Sequence, residues 1–157
     1  MPDGWYWAGL GTVTVLALVL RVVHRGPMSQ HVVALTRLDI GLAVGGVLAL
    51  GFHCGAMFFP DATDNVLGAA GAAEAVRDLG TASQVAYWVP AAVLLVALRR
   101  VWTPLLAAEA GVLLAVGVTM FWSFGLSVHL VAIAASVATT AAVLMTATTA
   151  GPMRASR

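Results

Sequence analysis

The chain has 157 residues, 61% of them hydrophobic and only 10% charged, with a mean hydropathy of +0.94, whereas soluble domains carry about 25% charged residues. That balance excludes a soluble globular domain. Eight Arg, no Lys and seven acidic residues leave a net charge of +1, which gives no basic field for nucleic acid, and the lone Cys54 excludes an internal disulfide.

A bilayer core about 30 Å thick takes roughly 20 apolar residues of helix. Stretches free of Asp, Glu, Lys and Arg cover residues 4–20, 40–60, 79–98 and 110–153. The last is too long for one crossing, and Ser123-Phe124-Gly125-Leu126-Ser127 offers a turn inside it. The sequence therefore predicts an all-α, polytopic integral membrane protein. It forms one domain over 1–157, a bundle of five transmembrane helices at about 5–23, 40–59, 82–98, 105–122 and 126–146, with an external loop over 60–81. Met1-Pro2-Asp3-Gly4 lacks the positive n-region of a signal peptide, so the first segment is expected to stay as a helix.

Arg21, Arg25, Arg37, Arg99, Arg100, Arg154 and Arg157 fall on one side of this arrangement, and Asp3, Asp61, Asp64, Glu74 and Asp78 on the other with only Arg77. The positive-inside rule then puts the amino terminus outside and the carboxyl terminus in the cytoplasm. Trp5, Tyr6, Trp7, Phe58, Phe59, Tyr87, Trp88, Phe121 and Trp122 fall toward the outer ends, as in an aromatic belt, and Trp102 at the inner end. Within the external loop, residues 69–79 have helix-forming composition, with Gly80 as a stop. Asp61, Asp64 and Asn65 read as solvated turn residues, because no calcium-loop spacing follows them.

Helices in lipid associate through close contact at small residues. Gly41 with Gly45, and Gly51 with Gly55, put the second span at the expected centre of the bundle; Ala107, Gly111 and Ala115 repeat the pattern in the fourth span, and Ala134, Ala138, Ala142 and Thr146 in the fifth. Pro90 removes one backbone donor from the third span and predicts a kink there. Thr139 and Thr140 are positioned to bond back to their own helix.

Ionisable and metal-binding residues inside a membrane are functional candidates by default. In the second span His53 and Met57 stand about 40° apart on a helix and Cys54 about 100° from His53, a donor set that suits copper(I). Met120 and His129 fall in the same outer half. His53 and His129, from separate helices at similar depth, are alternatively the axial pair of a b-type haem. The bland reading has both imidazoles hydrogen-bonding between helices while Cys54 and Met57 pack as hydrophobes. At the inner side Arg37, Asp39 and Glu109 read either as structural ion pairs, Arg37 with Glu109 and Asp39 with Arg99 or Arg100, or as a gate. His24, Met28 and His31 are separated by Gly26-Pro27, which breaks any helical ligand spacing.

No catalytic motif stands out: there is no phosphate-cradling Gly-Lys-Ser/Thr loop, no His-Glu-x-x-His and no Cys-x-x-Cys. Three readings follow, in this order. The first is an accessory or anchor subunit that buries its small-residue faces against a membrane-protein partner or another copy of itself. The second is a copper- or haem-binding protein serving metal handling or electron transfer on the outer side. The third is a small oligomeric transporter or channel. Richness in Ala, Val, Gly and Arg without Lys points to a bacterial plasma membrane.

Overall fold

A computed structural model describes residues 35–66, 70–122 and 124–149. The described elements are α1 (Arg37–Phe58), α2 (Pro60–Asp64), α3 (Ala70–Asp78), a 3-10 turn (Gly80–Ala82), α4 (Ser83–Ala97), α5 (Thr103–Phe121) and α6 (Leu126–Thr149), with no strand among them. α1, α5 and the Leu126–Met145 part of α6 are long and apolar enough to cross a membrane. The protein is a membrane protein that is all-helical over its described residues, with these three candidate spans among them. The first predicted span, its Trp5, Tyr6 and Trp7, the loop with His24, Met28 and His31, and Arg154 and Arg157 lie outside the described residues.

Local chemistry sets the element ends. α1 begins three residues before the predicted 40 because Thr36 and Asp39 form a capping box. The Thr36 hydroxyl accepts from the Asp39 N–H at 3.1 Å and the Asp39 carboxylate accepts from the Thr36 N–H at 3.0 Å. α5 starts on a Pro in its first turn, where the missing N–H costs no helix bond. In the external loop α3 matches the predicted helix, and Gly80 ends it at φ +55°, a left-handed backbone that favours glycine. The segment read as a solvated turn is the short helix α2, where Asn65 donates to the Asp61 carbonyl. Arg77, the one cation predicted on that side, forms an exposed ion pair with Asp64 at 3.0 Å.

The third predicted span corresponds to α4, which has 15 residues and is about 22 Å long at 1.5 Å per residue, short of a full crossing. It joins α3 through a 111° bend. The helix runs unbroken through Pro90.

α1 and α4 lie antiparallel. Asp39 meets Arg99, Gly46 abuts Pro90 and Leu94, and His53 faces Tyr87; as numbers rise along one helix they fall along the other. A Cβ on Gly46 would sit 3.2 Å from the Pro90 carbonyl oxygen, so glycine sets how closely the two backbones approach. The contact face of α1 is Asp39, Ala43, Gly46, Leu50, His53 and Ala56, a helical repeat that leaves out the expected glycine pairs. Gly41, Gly45 and Gly51 have nothing within 4 Å of an added Cβ, and Gly55 touches only Thr63. The other two stripes also face outward: Ala107, Gly111, Ala115, Ala134, Ala138 and Ala142 are all exposed.

The centre of the described bundle is therefore α4, where Tyr87, Trp88, Ala91, Leu94 and Leu95 are buried, rather than α1. Tyr87 and Trp88 correct the aromatic-belt expectation. They are 0% and 5% exposed and press on α5 at Gly117, where a Cβ would come within 2.7 Å of Trp88 and 2.9 Å of Tyr87. The Tyr87 phenol donates to the Leu113 carbonyl at 2.6 Å, using the second lone pair of an oxygen whose helical partner would be the Gly117 N–H. A belt residue keeps its polar end in the headgroups; this phenol finds its acceptor inside the bundle. Trp102 and Trp122 are exposed, 45% and 40%.

Candidate functional site

The Arg99 end of the bundle is built on Asp39. Its side chain is wholly enclosed, and its carboxylate accepts from Arg99 Nη1 at 2.5 Å, from the Thr36 hydroxyl at 2.8 Å and from the Thr36 N–H. Arg99 also donates to the Val96 carbonyl. The expected Asp39 pairing thus forms with Arg99. The expected Arg37–Glu109 pair does not: Arg37 is exposed, and Glu109, 0% exposed, takes the Thr140 hydroxyl at 2.6 Å. Helix geometry explains the difference. Residues 37 and 39 project to opposite sides, so turning Asp39 onto α4 turns Arg37 away, while Glu109 lies on the face of α5 that packs on α6.

Glu109 Oε2 has no hydrogen-bond partner. Thr139 bonds back to Ala135 at 2.9 Å, as its position in the sequence predicts, but Thr140 reaches across to α5 instead. Ser136, one turn before Thr140, is 9% exposed.

At the other end His53 is 3% exposed, its ring centroid 6.0 Å from that of Tyr87, and neither ring nitrogen has a partner. His129, 7% exposed, rests on Phe58 with centroids 4.7 Å apart, and its Nδ1 has no partner. His53 thus faces α4, whereas His129 closes on the end of α1. Cys54 and Met120 are half-buried and pack against the hydrophobic core, and Met57 is half-buried one turn beyond His53. Among the described residues no three His, Cys, Asp or Glu side chains gather closely enough to hold a metal ion.

Sequence reasoning did not single out Tyr87 and Gly117 as a lock, Thr140 as the partner of Glu109, or the buried Gln84, whose Oε1 lacks a partner. Gln84 carried a signal, a lone amide inside an apolar stretch. Thr36-x-x-Asp39 carried another, the capping-box spacing. No known family, curated protein or solved structure matches the chain.

Proposed function

We propose that the protein is a multi-pass subunit of the bacterial plasma membrane that anchors or supports a larger membrane complex. The observation that carries this reading is the outward placement of all three small-residue stripes, Gly41/Gly45, Ala107/Gly111/Ala115 and Ala134/Ala138/Ala142. In lipid such faces gain little by meeting acyl chains and more by close approach of another helix. The topology proposed with it has five crossings, the short α4 counted as the third, with the amino terminus outside and the carboxyl terminus cytoplasmic. Support comes from the gathering of Arg37, Arg99 and Arg100 at one end and Asp61, Asp64, Glu74 and Asp78 at the other.

Photo-cross-linking tests it. A benzophenone amino acid replacing Gly111 or Ala138 should give one discrete protein adduct in native membranes. The same group replacing Val66, exposed just after α2 and away from the stripes, should give none. Lipid adducts alone from all three positions would contradict the reading.

A second reading rests on one specific observation, the unpartnered ring nitrogens of His53 and Nδ1 of His129 in a buried setting. It takes the protein as a carrier of copper or haem b near the outer side, with Cys54, Met57 and Met120 as soft neighbours. An absorption spectrum and elemental analysis of detergent-purified protein decide it. This reading requires a Soret band or near-stoichiometric copper, lost in His53→Ala; blanks in both, even after copper reconstitution, exclude it.

A further inference from the structure

α1 rests on α4, and α6 on α5. α1 and α6 approach each other at Phe58 and His129, and deeper in the bundle a half-open cavity of about 270 Å³ lies between them, with Tyr87 and Leu113 among its buried walls and the exposed Val47, Gly51, Val137 and Ala141 along its open side. It has room for roughly nine water-sized groups at about 30 Å³ each, yet its walls are almost entirely apolar and suit water poorly.

The polar groups on the α6 wall are the hydroxyls of Ser136 and Thr140. Spaced i,i+4, they face the same way. Thr140 commits its proton to Glu109, which leaves its oxygen only as an acceptor. Ser136 is nine-tenths buried, and no hydrogen bond to its hydroxyl occurs among the described residues, although a membrane-helix serine ordinarily bonds back to its own helix, as Thr139 does. The cavity thus offers one free donor and one free acceptor a helical turn apart, on the α6 wall of an otherwise apolar volume.

We infer that this cavity is a binding site for a membrane-soluble aliphatic alcohol, whose hydroxyl accepts from Ser136 and donates to Thr140 while its chain fills the apolar space. A carbonyl would satisfy Ser136 alone. Depth separates the possible sources. Ser136 lies ten residues into α6, about 15 Å from its start and near the bilayer midplane, where phospholipid ester groups do not reach. The ligand is therefore a freely partitioning molecule rather than a lipid held by its headgroup. The site lies between helices of the bundle and does not depend on the outward stripes.

An octanol carrying a diazirine, photolysed with the full-length protein in phosphatidylcholine vesicles, tests this by peptide mass spectrometry. Saturable labelling is expected in the peptides around Gly51–Cys54 and Ser136–Thr140, competed by 1-octanol roughly three- to tenfold better than by n-octane, the margin of one or two net hydrogen bonds. Ser136→Ala should reduce that margin to at most the one bond to Thr140 without moving the label. Gly51 lines the cavity and has nothing within 4 Å of an added Cβ, so Gly51→Leu should fill the space and abolish cavity labelling; if Gly51→Leu fails to fold, Ser136→Ala still decides. Non-saturable labelling, equal competition by octane, or an unchanged margin in Ser136→Ala would overturn the inference. A label confined to phosphatidylcholine chains would do the same.

Discussion

Asp39 is the residue on which the Arg99 end depends: fully enclosed, it holds the first turn of α1 through Thr36 and the last turn of α4 through Arg99. Removing one partner of a buried ion pair leaves the other charge without compensation, which costs about 3 kcal/mol or more. Arg99→Ala should therefore lower the thermal midpoint in detergent sharply. Arg37→Ala, at an exposed position two residues from Asp39, should change stability by no more than about 0.5 kcal/mol. Equal losses in the two variants would mean that Asp39 draws on both cations. The sequence narrowed the partner of Asp39 to Arg99 or Arg100, the cations at the same end of the chain's helices, and the packing of α1 on α4 selects Arg99. The partner of Glu109 was not legible, because a threonine in an apolar stretch looks the same whether it bonds to its own helix or to a neighbour.

Among the elements, α4 is the hinge of the packing. It is the shortest of the long helices and carries the largest buried side chains, Tyr87 and Trp88. The glycines that matter are those opposite its bulk, Gly46 on α1 and Gly117 on α5. Gly117→Ala forces a methyl group against two aromatic rings and should cost about 1–3 kcal/mol by overpacking. Gly111→Ala, six residues earlier in open space, should be neutral or slightly stabilising through helix propensity. Thermal melts of the two variants followed by Trp fluorescence check this; similar melts would mean that the Tyr87–Gly117 contact does not hold α4 on α5. The existence and approximate limits of α1, α4, α5 and α6 could be read from the apolar stretches. Which face each one buries could not, since glycine and alanine occur on several faces of α1 and α5, and only the bulky residues of the facing helix select among them. Tyr87 and Trp88 misled for the same reason: near a helix end, an interfacial aromatic and a core aromatic have the same sequence signature.

For the whole molecule, the described helices leave much apolar surface outward. Val131 and Val137 of α6 are 70% and 64% exposed, in line with a lipid-embedded chain, and the small-residue stripes form part of the same outer surface. The membrane class was legible from composition alone, because few charges and high hydropathy leave a chain no aqueous fold. The candidate site was legible only as a set of residues. The sequence puts His53 and His129 at similar depth, but tertiary packing turns His53 toward Tyr87 and rests His129 on Phe58, five residues and about 7.5 Å farther along α1.

The central claim is that the outward stripes are covered by another membrane protein or another copy of this one, and the mass of the assembly in its own membrane tests it most directly. The complex would be excised in polymer-bounded lipid discs and weighed, first as wild type and then with Gly45→Leu, Gly111→Leu and Ala138→Leu combined. All three changes point away from the described core. The account predicts a wild-type particle carrying more protein than one 16.1 kDa chain and a variant reduced to that single chain with its helix content intact. A wild type already present as single chains, or a variant whose assembly is unchanged, would contradict it.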